Sequence, residues 1–277
     1  MNKEDRWSKA LRYFLMVVFF VFMTFPIIWI FITSVKPVKE IVTIPITYFP
    51  KHFTLENYVN ILKTTNFPVY FKNSMIVSTT ASIGTLIISL FAGYSLARFR
   101  FAGKKLTLFL FLATQMVPVA AIIVPIFILF SKLGLINNLL GLIIIYIVLN
   151  IPFCTMMIRG FFEKIPYTLE EAAMIDGCSR IQALIKIILP VMKPGIIATF
   201  VFAFMGAWNE LFFNTLFISR EALKTLPTGI NAFIGKYDID WGMMTAGSVI
   251  ALIPIFIMFG VIQKYLVGGL TDGAVKG

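Results

Sequence analysis

The chain has 277 residues, of which 59% are hydrophobic and 13% charged, and a mean hydropathy of +0.90 excludes a soluble domain because so little charge cannot cover its surface. The net charge of +11 comes from Lys and Arg scattered between apolar runs, which indicates membrane orientation and argues against a nucleic-acid partner. A single histidine, His52, and two distant cysteines, Cys154 and Cys178, give no basis for a His-based metal site, a catalytic triad or a disulfide framework.

Six apolar segments predict six membrane-spanning helices, because about 20 residues rising about 1.5 Å each cross about 30 Å of hydrocarbon. The first is predicted to be retained, since its apolar run is too long for a signal-peptide core and no small-residue cleavage site follows it. The predicted spans are Tyr13–Ile32, Ser74–Ala97, Leu106–Phe130, Leu139–Ile158, Ile196–Ile218 (interrupted by Glu210) and Gly242–Gln263.

The distribution of positive charge predicts that both termini are cytoplasmic. The inner segments 1–12, 98–105, 159–195 and 264–277 then carry 15 of the 24 Lys and Arg residues, and the outer segments carry nine. The predicted organisation is a cytoplasmic N-terminus (1–12), one transmembrane domain (13–265) whose long inner loop is 159–195, and a cytoplasmic tail (266–277).

Proline and small residues mark the interior of the predicted bundle. Prolines inside spans free backbone carbonyls that neighbouring helices or water must satisfy. The second span is rich in Ser, Thr, Ala and Gly, which favours close helix packing, with a polar pathway lining as the alternative. The prolines are Pro26, Pro118, Pro125, Pro152 and Pro254.

The inner loop 159–195 predicts a helix, a turn and an amphipathic helix. Thr168 stands three residues before Glu171 in the pattern of a capping box, and Gly177 is expected to stop that helix. Ser179 and Gln182 form a second capping box. The apolar residues of the second helix, and the proline expected to end it, are Ile181, Leu184, Ile185, Ile188 and Pro190. The residues alone leave open a docking element for a partner or an interfacial anchor of the bundle.

This loop resembles the EAA loop of bacterial ATP-binding-cassette (ABC) importer permeases. Glu171-Ala172-Ala173, three residues, Gly177, nine residues, Ile187, one residue and Leu189-Pro190 follow the family pattern without a departure. Trp208-Asn209-Glu210 and the C-terminal run from Gln263 to Gly277 resemble the carbohydrate branch, and most of all the second membrane subunit of maltose and multiple-sugar systems. The resemblance covers essentially the whole chain.

The resemblance implies an all-α fold of six transmembrane helices with a cytoplasmic coupling helix in the EAA loop, in a bacterial cytoplasmic membrane. The implied partners are a second permease subunit, a dimer of cytosolic ABC ATPases, an extracytoplasmic sugar-binding protein and membrane lipid. ATP and Mg²⁺ belong to the ATPase, and this chain is expected to be no enzyme and to bind no cofactor or metal. Gly103-Lys104-Lys105 lacks the earlier glycine and the Ser/Thr of a phosphate-binding loop.

The resemblance also assigns residues to the partners. Coupling to the ATPase is expected at Glu170, Glu171, Ala172, Ala173, Asp176, Gly177, Leu189 and Pro190. Further ATPase contacts are expected in the glycine-rich tail, which has little helix propensity and is expected to be extended, with a frayed end as the alternative. The tail residues are Gly268, Gly269, Thr271, Gly273 and Lys276. Proline and glycine in the outer segment Ser219–Trp241 predict a loop of defined shape rather than a helix. It is expected to face the binding protein with Thr228, Gly229, Asn231 and Gly235, and the alternative is a loop that only closes the outer face of the bundle.

Five polar residues in or near the spans are candidates for the translocation pathway: Gln115, Asn150, Asn209, Glu210 and Asn214. Interhelical hydrogen bonding is the alternative role for the amides, and Glu210 is either a pathway residue or the first solvated residue of the outer loop.

The alternatives are two other classes of membrane protein and one other kind of substrate. An ion-coupled secondary transporter usually has more spans and ionisable residues near mid-membrane, and only Glu210 comes close. A membrane enzyme needs a cluster of His, Asp or Glu at one membrane face, which His52 in an outer loop does not supply. Within the importer class, the alternative substrate is a non-sugar solute such as glycerol phosphate.

Overall fold

The computed structural model describes residues 6–235 and 237–274, with side chains from 7 to 235 and from 237 to 263. In these ranges the regular structure is helical, apart from an isolated antiparallel bridge between Ile234 and Ile239. A π-helical turn (Leu184–Ile188) follows α9 and a 3₁₀ turn (Glu221–Leu223) follows α12. The α-helices are α1 (Arg6–Ser34), α2 (Val38–Ile41), α3 (Glu56–Thr64), α4 (Phe67–Arg98), α5 (Lys104–Met116), α6 (Val119–Lys132), α7 (Leu139–Lys164), α8 (Thr168–Ile175), α9 (Arg180–Ala183), α10 (Leu189–Val191), α11 (Lys193–Trp208), α12 (Phe212–Phe217), α13 (Leu226–Asn231) and α14 (Trp241–Ala274).

Four of the described helices are long and apolar enough to cross a membrane: α1, α4, α7 and the part of α14 up to Gln263. They contain the predicted first, second, fourth and sixth spans. Two bent pairs raise the number to six if each counts as one span, namely α5 with α6 and the stretch Arg180–Val191 with α11. The described part of the chain is therefore mostly helical, with four to six apolar helices that are long enough to cross a membrane.

The predicted third span, Leu106–Phe130, is wrong as a single straight helix. α5 ends at Met116, α6 begins at Val119, and the two are bent by 101°. Val117 is extended (φ −78°, ψ 120°), because a residue before proline is driven out of the helical region. Pro118 in addition has no backbone N–H to continue the ladder. The result is a sharp elbow at Val117–Pro118.

The predicted fifth span, Ile196–Ile218, is also wrong as one helix. α11 ends at Trp208 and α12 begins at Phe212. Between them the two carboxylate oxygens of Glu210 accept hydrogen bonds from the backbone N–H of Phe213 at 3.0 and 3.1 Å. A carboxylate that accepts from the first free N–H groups starts a new helix.

The described residues divide into two compact units, and the first comprises those of 1–67 and 230–253. Its core contains the fully buried Ile61 and Phe67. The buried side-chain amide of Asn57 donates to the carbonyls of Ser34 at 2.9 Å and Lys36 at 2.8 Å. These bonds satisfy carbonyls at the end of α1 and fix the exit of the chain from that helix.

The second unit comprises the described residues of 68–229 and 254–274. One apolar cluster in it is built around α7, with α4, α6, α11 and α12 packed against it. Its buried members are Val77, Ala81, Phe130, Leu142, Ile145, Tyr146, Ala207, Phe213, Phe217 and Ile218. A second cluster lies where the last turns of α4 and α7 meet the segment that follows α8, and it is described with the site below.

The small residues of α4 let it approach α7 closely. A Cβ at Gly84 would lie 2.7 Å from Ile147, and one at Gly93 would lie 2.7 Å from Ile158. The hydroxyl residues on the same helix are buried, namely Ser74, Ser78, Ser82, Thr85 and Ser89. The structure therefore favours close packing over a polar pathway lining for this face of α4.

Candidate functional site

Residues 168–191 fold as a helix, a tight turn and a second helical stretch, called the helix–turn–helix below. Gly177 adopts φ +89° and stops the first helix, as predicted, because this left-handed conformation is open to glycine at little cost. The second predicted capping box is confirmed. The Gln182 N–H donates to Ser179 Oγ at 3.3 Å, and the Ser179 N–H donates to Gln182 Oε1 at 2.8 Å.

The first predicted capping box is wrong. Thr168 is already the first residue of α8, and Tyr167 before it has a helical backbone (φ −63°, ψ −28°) without a side-chain cap. An N-cap residue needs a non-helical backbone for its side chain to reach the free N–H groups, and this entrance does not provide one.

The predicted end at Pro190 is also wrong, because helical backbone continues to Val191. A π-helical turn precedes the proline, and in it the Leu189 N–H bonds to the Leu184 carbonyl. In a regular helix, a proline ring clashes with the carbonyl four residues back, and proline has no N–H to donate to it. The wider π turn leaves room for the proline ring.

The inner face of the helix–turn–helix packs on the ends of α4 and α7. Among the predicted coupling residues, Glu170 and Ala173 are buried, and Leu189 is half-buried against the second apolar cluster. That cluster consists of Tyr94, Ile158, Phe162, Ile165, Leu184, Ile188 and Met192. Glu170, Ala173 and Leu189 therefore contact this chain itself and hold the segment in place.

The Glu170 carboxylate is bound by two residues of α4. Arg98 Nε donates to it at 2.6 Å and the Tyr94 hydroxyl donates at 3.0 Å, while Arg98 Nη2 donates to the Ile165 carbonyl at 3.0 Å. The Arg98 and Glu170 side chains are 7% and 2% exposed. The two residues are 72 positions apart, so no local sequence pattern predicts this ion pair.

The outer face carries the other predicted coupling residues, since Glu171, Ala172, Asp176, Gly177 and Pro190 are all exposed. Three exposed isoleucines also flank the turn, and sequence reasoning missed them: Ile175 (85% exposed), Ile181 (68%) and Ile185 (56%). The helical spacing had grouped two of them with Leu184 and Ile188, which are buried on the opposite side. The signal available in the sequence was an isoleucine two residues before a turn glycine.

Some of the predicted pathway residues line two cavities in the second unit. Asn209 and Glu210 line one of about 520 Å³, and Gln115 lines another of about 560 Å³ beside the elbow of α5 and α6. Both cavities include Val119 and Leu149 in their walls, and both are mostly apolar. Among the described residues, no group of three or more His, Cys, Asp or Glu could hold a metal ion.

The remaining polar groups near these cavities bond within the protein. The Tyr146 hydroxyl donates to Glu210 at 2.7 Å, so this carboxylate serves both Tyr146 and the start of α12. Asn150 donates to the Tyr146 carbonyl at 2.7 Å. Asn214 is fully buried, and its Oδ1 accepts from the Thr225 N–H at 3.3 Å. For Asn214 this burial favours the alternative role, hydrogen bonding within the protein, over a place in the pathway.

The predicted binding-protein contacts of Thr228 and Gly229 are wrong, because both residues are buried. The Thr228 hydroxyl donates to Asn214 Oδ1 at 2.5 Å, and a Cβ on Gly229 would clash with the ring of Tyr70. The segment is helical as α13, against the expectation of a loop. Its polar and small residues are needed for packing.

The part of the outer loop before α13 is tied to α4. Glu221 accepts from Tyr70 and pairs with Lys224 at 2.6 Å. Asn73 donates to the carbonyls of Ala222 at 3.0 Å and Lys224 at 2.9 Å. The hydrogen bond from Lys224, and then that from Tyr70, lower the pKa of Glu221, so it stays a carboxylate at neutral pH.

In the first unit, the loop after α13 forms a small hairpin. Ile234 and Ile239 make the antiparallel bridge, and the Gly235 N–H donates to the Asp238 carbonyl at 2.8 Å. Tyr237 at its tip is 89% exposed. Asn231 and Gly235, the other two residues predicted to face a binding protein, are exposed as well.

The residues predicted to contact the ATPase from the tail lie mostly in α14. Gly268, Gly269, Thr271 and Gly273 have a helical backbone, so the expected extended conformation is wrong. Extending an established helix adds one hydrogen bond per residue and avoids the cost of nucleation, which offsets a low propensity. Lys276 lies outside the described residues.

The chain matches a family described as the binding-protein-dependent transport system inner membrane component, over residues 86–271. It is 38% identical to the sulfoquinovosyl glycerol transport system permease protein of Agrobacterium fabrum, over 98% of this chain and 95% of that one. It is 37% identical to a diacetylchitobiose uptake system permease protein of Streptomyces coelicolor, over 94% and 95% of the two chains.

A third relative, the trehalose/maltose transport system permease protein of Thermococcus litoralis, is 38% identical over 91% of each chain. Among solved structures, a chain of a bacterial ABC transporter involved in the import of the polysaccharide alginate superposes with a TM-score of 0.82. That match has 23% identity and covers 96% of this chain and 98% of the other, and it shows a shared fold. The chain therefore belongs to the family of binding-protein-dependent transport system inner membrane components.

Proposed function

We propose that this chain is the permease subunit of an ABC importer and forms, with a second permease subunit, the translocation pathway for a sugar. An extracytoplasmic binding protein delivers the sugar, and a separate ATPase dimer hydrolyses ATP. The observation that carries the proposal is the helix–turn–helix, which is anchored on its inner face and exposes three isoleucines around its turn on the outer face. The names of the relatives, which refer to sulfoquinovosyl glycerol, diacetylchitobiose and trehalose/maltose, support a sugar as the substrate.

The outer face of the helix–turn–helix has the properties of a docking surface for the ATPase. Exposed apolar side chains that are grouped around one turn mark interaction sites. Ile175 is 85% exposed, and a partner surface that covers it removes this apolar area from water. Ala172 and Gly177 let a partner surface approach closely, and Glu171 and Asp176 supply charges at the rim. The end of α14, with Gly268, Gly269, Thr271, Gly273 and the following Lys276, is proposed as a second contact with the ATPase.

The proposed orientation places this surface in the cytoplasm. The excess of Lys and Arg in segments 1–12, 98–105, 159–195 and 264–277 supports cytoplasmic termini. The proposal counts six crossings, with α5 and α6 together as the third and α11 as the fifth, so that the stretch before α11 stays on the cytoplasmic side. The chain lies in a bacterial cytoplasmic membrane. The ATPase dimer then contacts it from the cytoplasm, and the binding protein contacts it from the opposite side.

The two cavities at the α5–α6 elbow form the part of the pathway that this chain contributes. Gln115 and Asn209 present amide groups there, which suit sugar hydroxyls, and the apolar walls suit the faces of sugar rings. The Glu210 carboxylate is engaged by Tyr146 and the backbone of α12. That engagement argues against the free membrane carboxylate that ion coupling in a secondary transporter requires.

Substituting Ile175 with aspartate tests the docking surface. We expect the apparent affinity for the ATPase to fall about tenfold or more, because an exposed apolar anchor at the centre of an interface contributes about 2 kcal/mol. Co-purification of the ATPase and ATP-driven sugar uptake in proteoliposomes are the measurements. Ile46→Asp, at an isoleucine that is 61% exposed in the first unit, is the matched control and should change neither. Equal losses in both variants, or none in either, would contradict the docking role.

Substituting Tyr237 with alanine tests the hairpin as a contact for the binding protein. We expect the stimulation of ATP hydrolysis by sugar-loaded binding protein to fall about threefold to tenfold, since an exposed tyrosine supplies large contact area at low entropy cost. Basal hydrolysis should not change. The control is Tyr48→Ala, at a tyrosine that is 68% exposed in the same unit. Unchanged stimulation in the Tyr237 variant would exclude the hairpin from this contact.

A further inference from the structure

A buried polar network joins the helix–turn–helix to the last turn of α4. Its centre is the ion pair of Arg98 with Glu170, at 2.6 Å. Tyr94, one turn earlier on α4, donates to the second carboxylate oxygen at 3.0 Å. Arg98 reaches further to the Ile165 carbonyl at 3.0 Å, just before α8, and its guanidinium lies 5.7 Å from the centre of the Tyr167 ring.

This ion pair is more fully hydrogen-bonded than packing alone requires. Both charges are removed from water, which is unfavourable unless the partners satisfy each other. Here each carboxylate oxygen has a donor, and the guanidinium has two acceptors and an aromatic face. Buried pairs of this kind add little net stability over apolar residues, but their directional bonds allow only one arrangement of the two helices.

A second contact ties the other half of the helix–turn–helix to the same place. The Arg180 guanidinium on α9 lies 5.0 Å from the centre of the Phe99 ring, directly after α4. Arg180 Nη2 also donates to the Tyr167 hydroxyl at 3.4 Å. Both helices that flank Gly177 are therefore attached to the end of α4, and the exposed isoleucines project from the opposite side.

We propose that Arg98 and Glu170 are positioning residues that make the helix–turn–helix and α4 move as one body. When a partner displaces the exposed isoleucines, the ion pair passes that displacement to α4, whose glycine face packs tightly on α7. An apolar contact at the same place can slide, whereas a hydrogen-bonded pair in a low-dielectric setting cannot. This inference rests on the proposed function, because the displacement comes from the ATPase.

The test compares Glu170→Gln with Glu163→Gln in the full chain assembled with its partners. Glu163 pairs with Arg159 at 2.8 Å on the neighbouring α7, but its side chain is 46% exposed, so the same chemical change occurs there in water. Two quantities are measured: the hydrogen exchange of the backbone amides from Glu171 to Gly177, and the sugar transported per ATP hydrolysed. For Glu170→Gln we expect exchange at least tenfold faster and a transport ratio at least tenfold lower. Glu163→Gln should match the unsubstituted chain in both.

The double variant Arg98→Met/Glu170→Leu separates positioning from folding. Two apolar residues of similar volume fill the site without an unpaired charge, so the chain is expected to insert and assemble normally. The transport ratio should nevertheless stay at least tenfold low. A normal ratio in this double variant or in Glu170→Gln overturns the proposal. If the unsubstituted chain shows no ATP-driven sugar uptake, the proposed function fails, while unchanged amide exchange in Glu170→Gln overturns the ion pair's role separately.

Discussion

Replacing Gly177 with leucine is expected to reduce sugar uptake more than 100-fold while the chain stays inserted in the membrane. Gly177 has φ +89°, where a residue with a Cβ loses about 1–2 kcal/mol. It is exposed, and an added Cβ would meet no atom within 4 Å, so the fold tolerates the change. The leucine side chain then projects from the turn between Ile175 and Ile181, where the ATPase has to approach the backbone. Uptake and ATPase co-purification should both be lost.

Gly103→Leu is the matched control for this prediction. Gly103 has φ +92°, precedes α5, and also has no atom within 4 Å of an added Cβ. The substitution therefore carries the same backbone cost at an exposed turn outside the docking surface. We expect uptake within about threefold of the unsubstituted chain. A similar collapse in both variants would show that backbone strain, and not docking, explains the Gly177 result.

The parts of the helix–turn–helix that the sequence predicts are those with local causes. Gly177 and the Ser179–Gln182 capping box depend on residues within four positions, and both occur as expected. Burial is different, because it depends on what the rest of the chain places opposite each residue. Helical spacing grouped Ile181 and Ile185 with Leu184 and Ile188, but only the latter two meet α4 and α7.

The membrane helices show the same division. Apolar length predicts α1, α4, α7 and the apolar part of α14 well, because hydrophobicity over about 20 residues suffices for a spanning helix. It gives no account of the 101° elbow, since Pro118 in a span is compatible with a modest kink or a complete break. The Arg98–Glu170 ion pair cannot be predicted from sequence patterns for a further reason. Its two residues come together only in the folded second unit.

Replacing Glu210 with alanine is expected to lower the thermal unfolding midpoint by about 10 °C and the yield of folded chain about tenfold. The carboxylate accepts hydrogen bonds from the backbone of Phe213 at 3.0 and 3.1 Å and from the hydroxyl of the buried Tyr146 at 2.7 Å. Alanine leaves these donors unpaired where lipid and apolar side chains cannot replace the acceptor. Losing two hydrogen bonds to a charged group costs about 3 kcal/mol.

Glu210→Gln distinguishes this structural role from direct action on the sugar. The glutamine side-chain oxygen still accepts from the start of α12, so most of the capping geometry survives without the charge. If the carboxylate acts mainly as a cap, the midpoint should fall by about 3 °C or less and uptake should stay above half of its normal rate. If the charge itself handles the sugar in the cavity with Asn209, uptake should fall more than tenfold at nearly normal stability. Measuring the unfolding midpoint and uptake in the same preparation decides between these roles, and the second outcome would contradict the capping account.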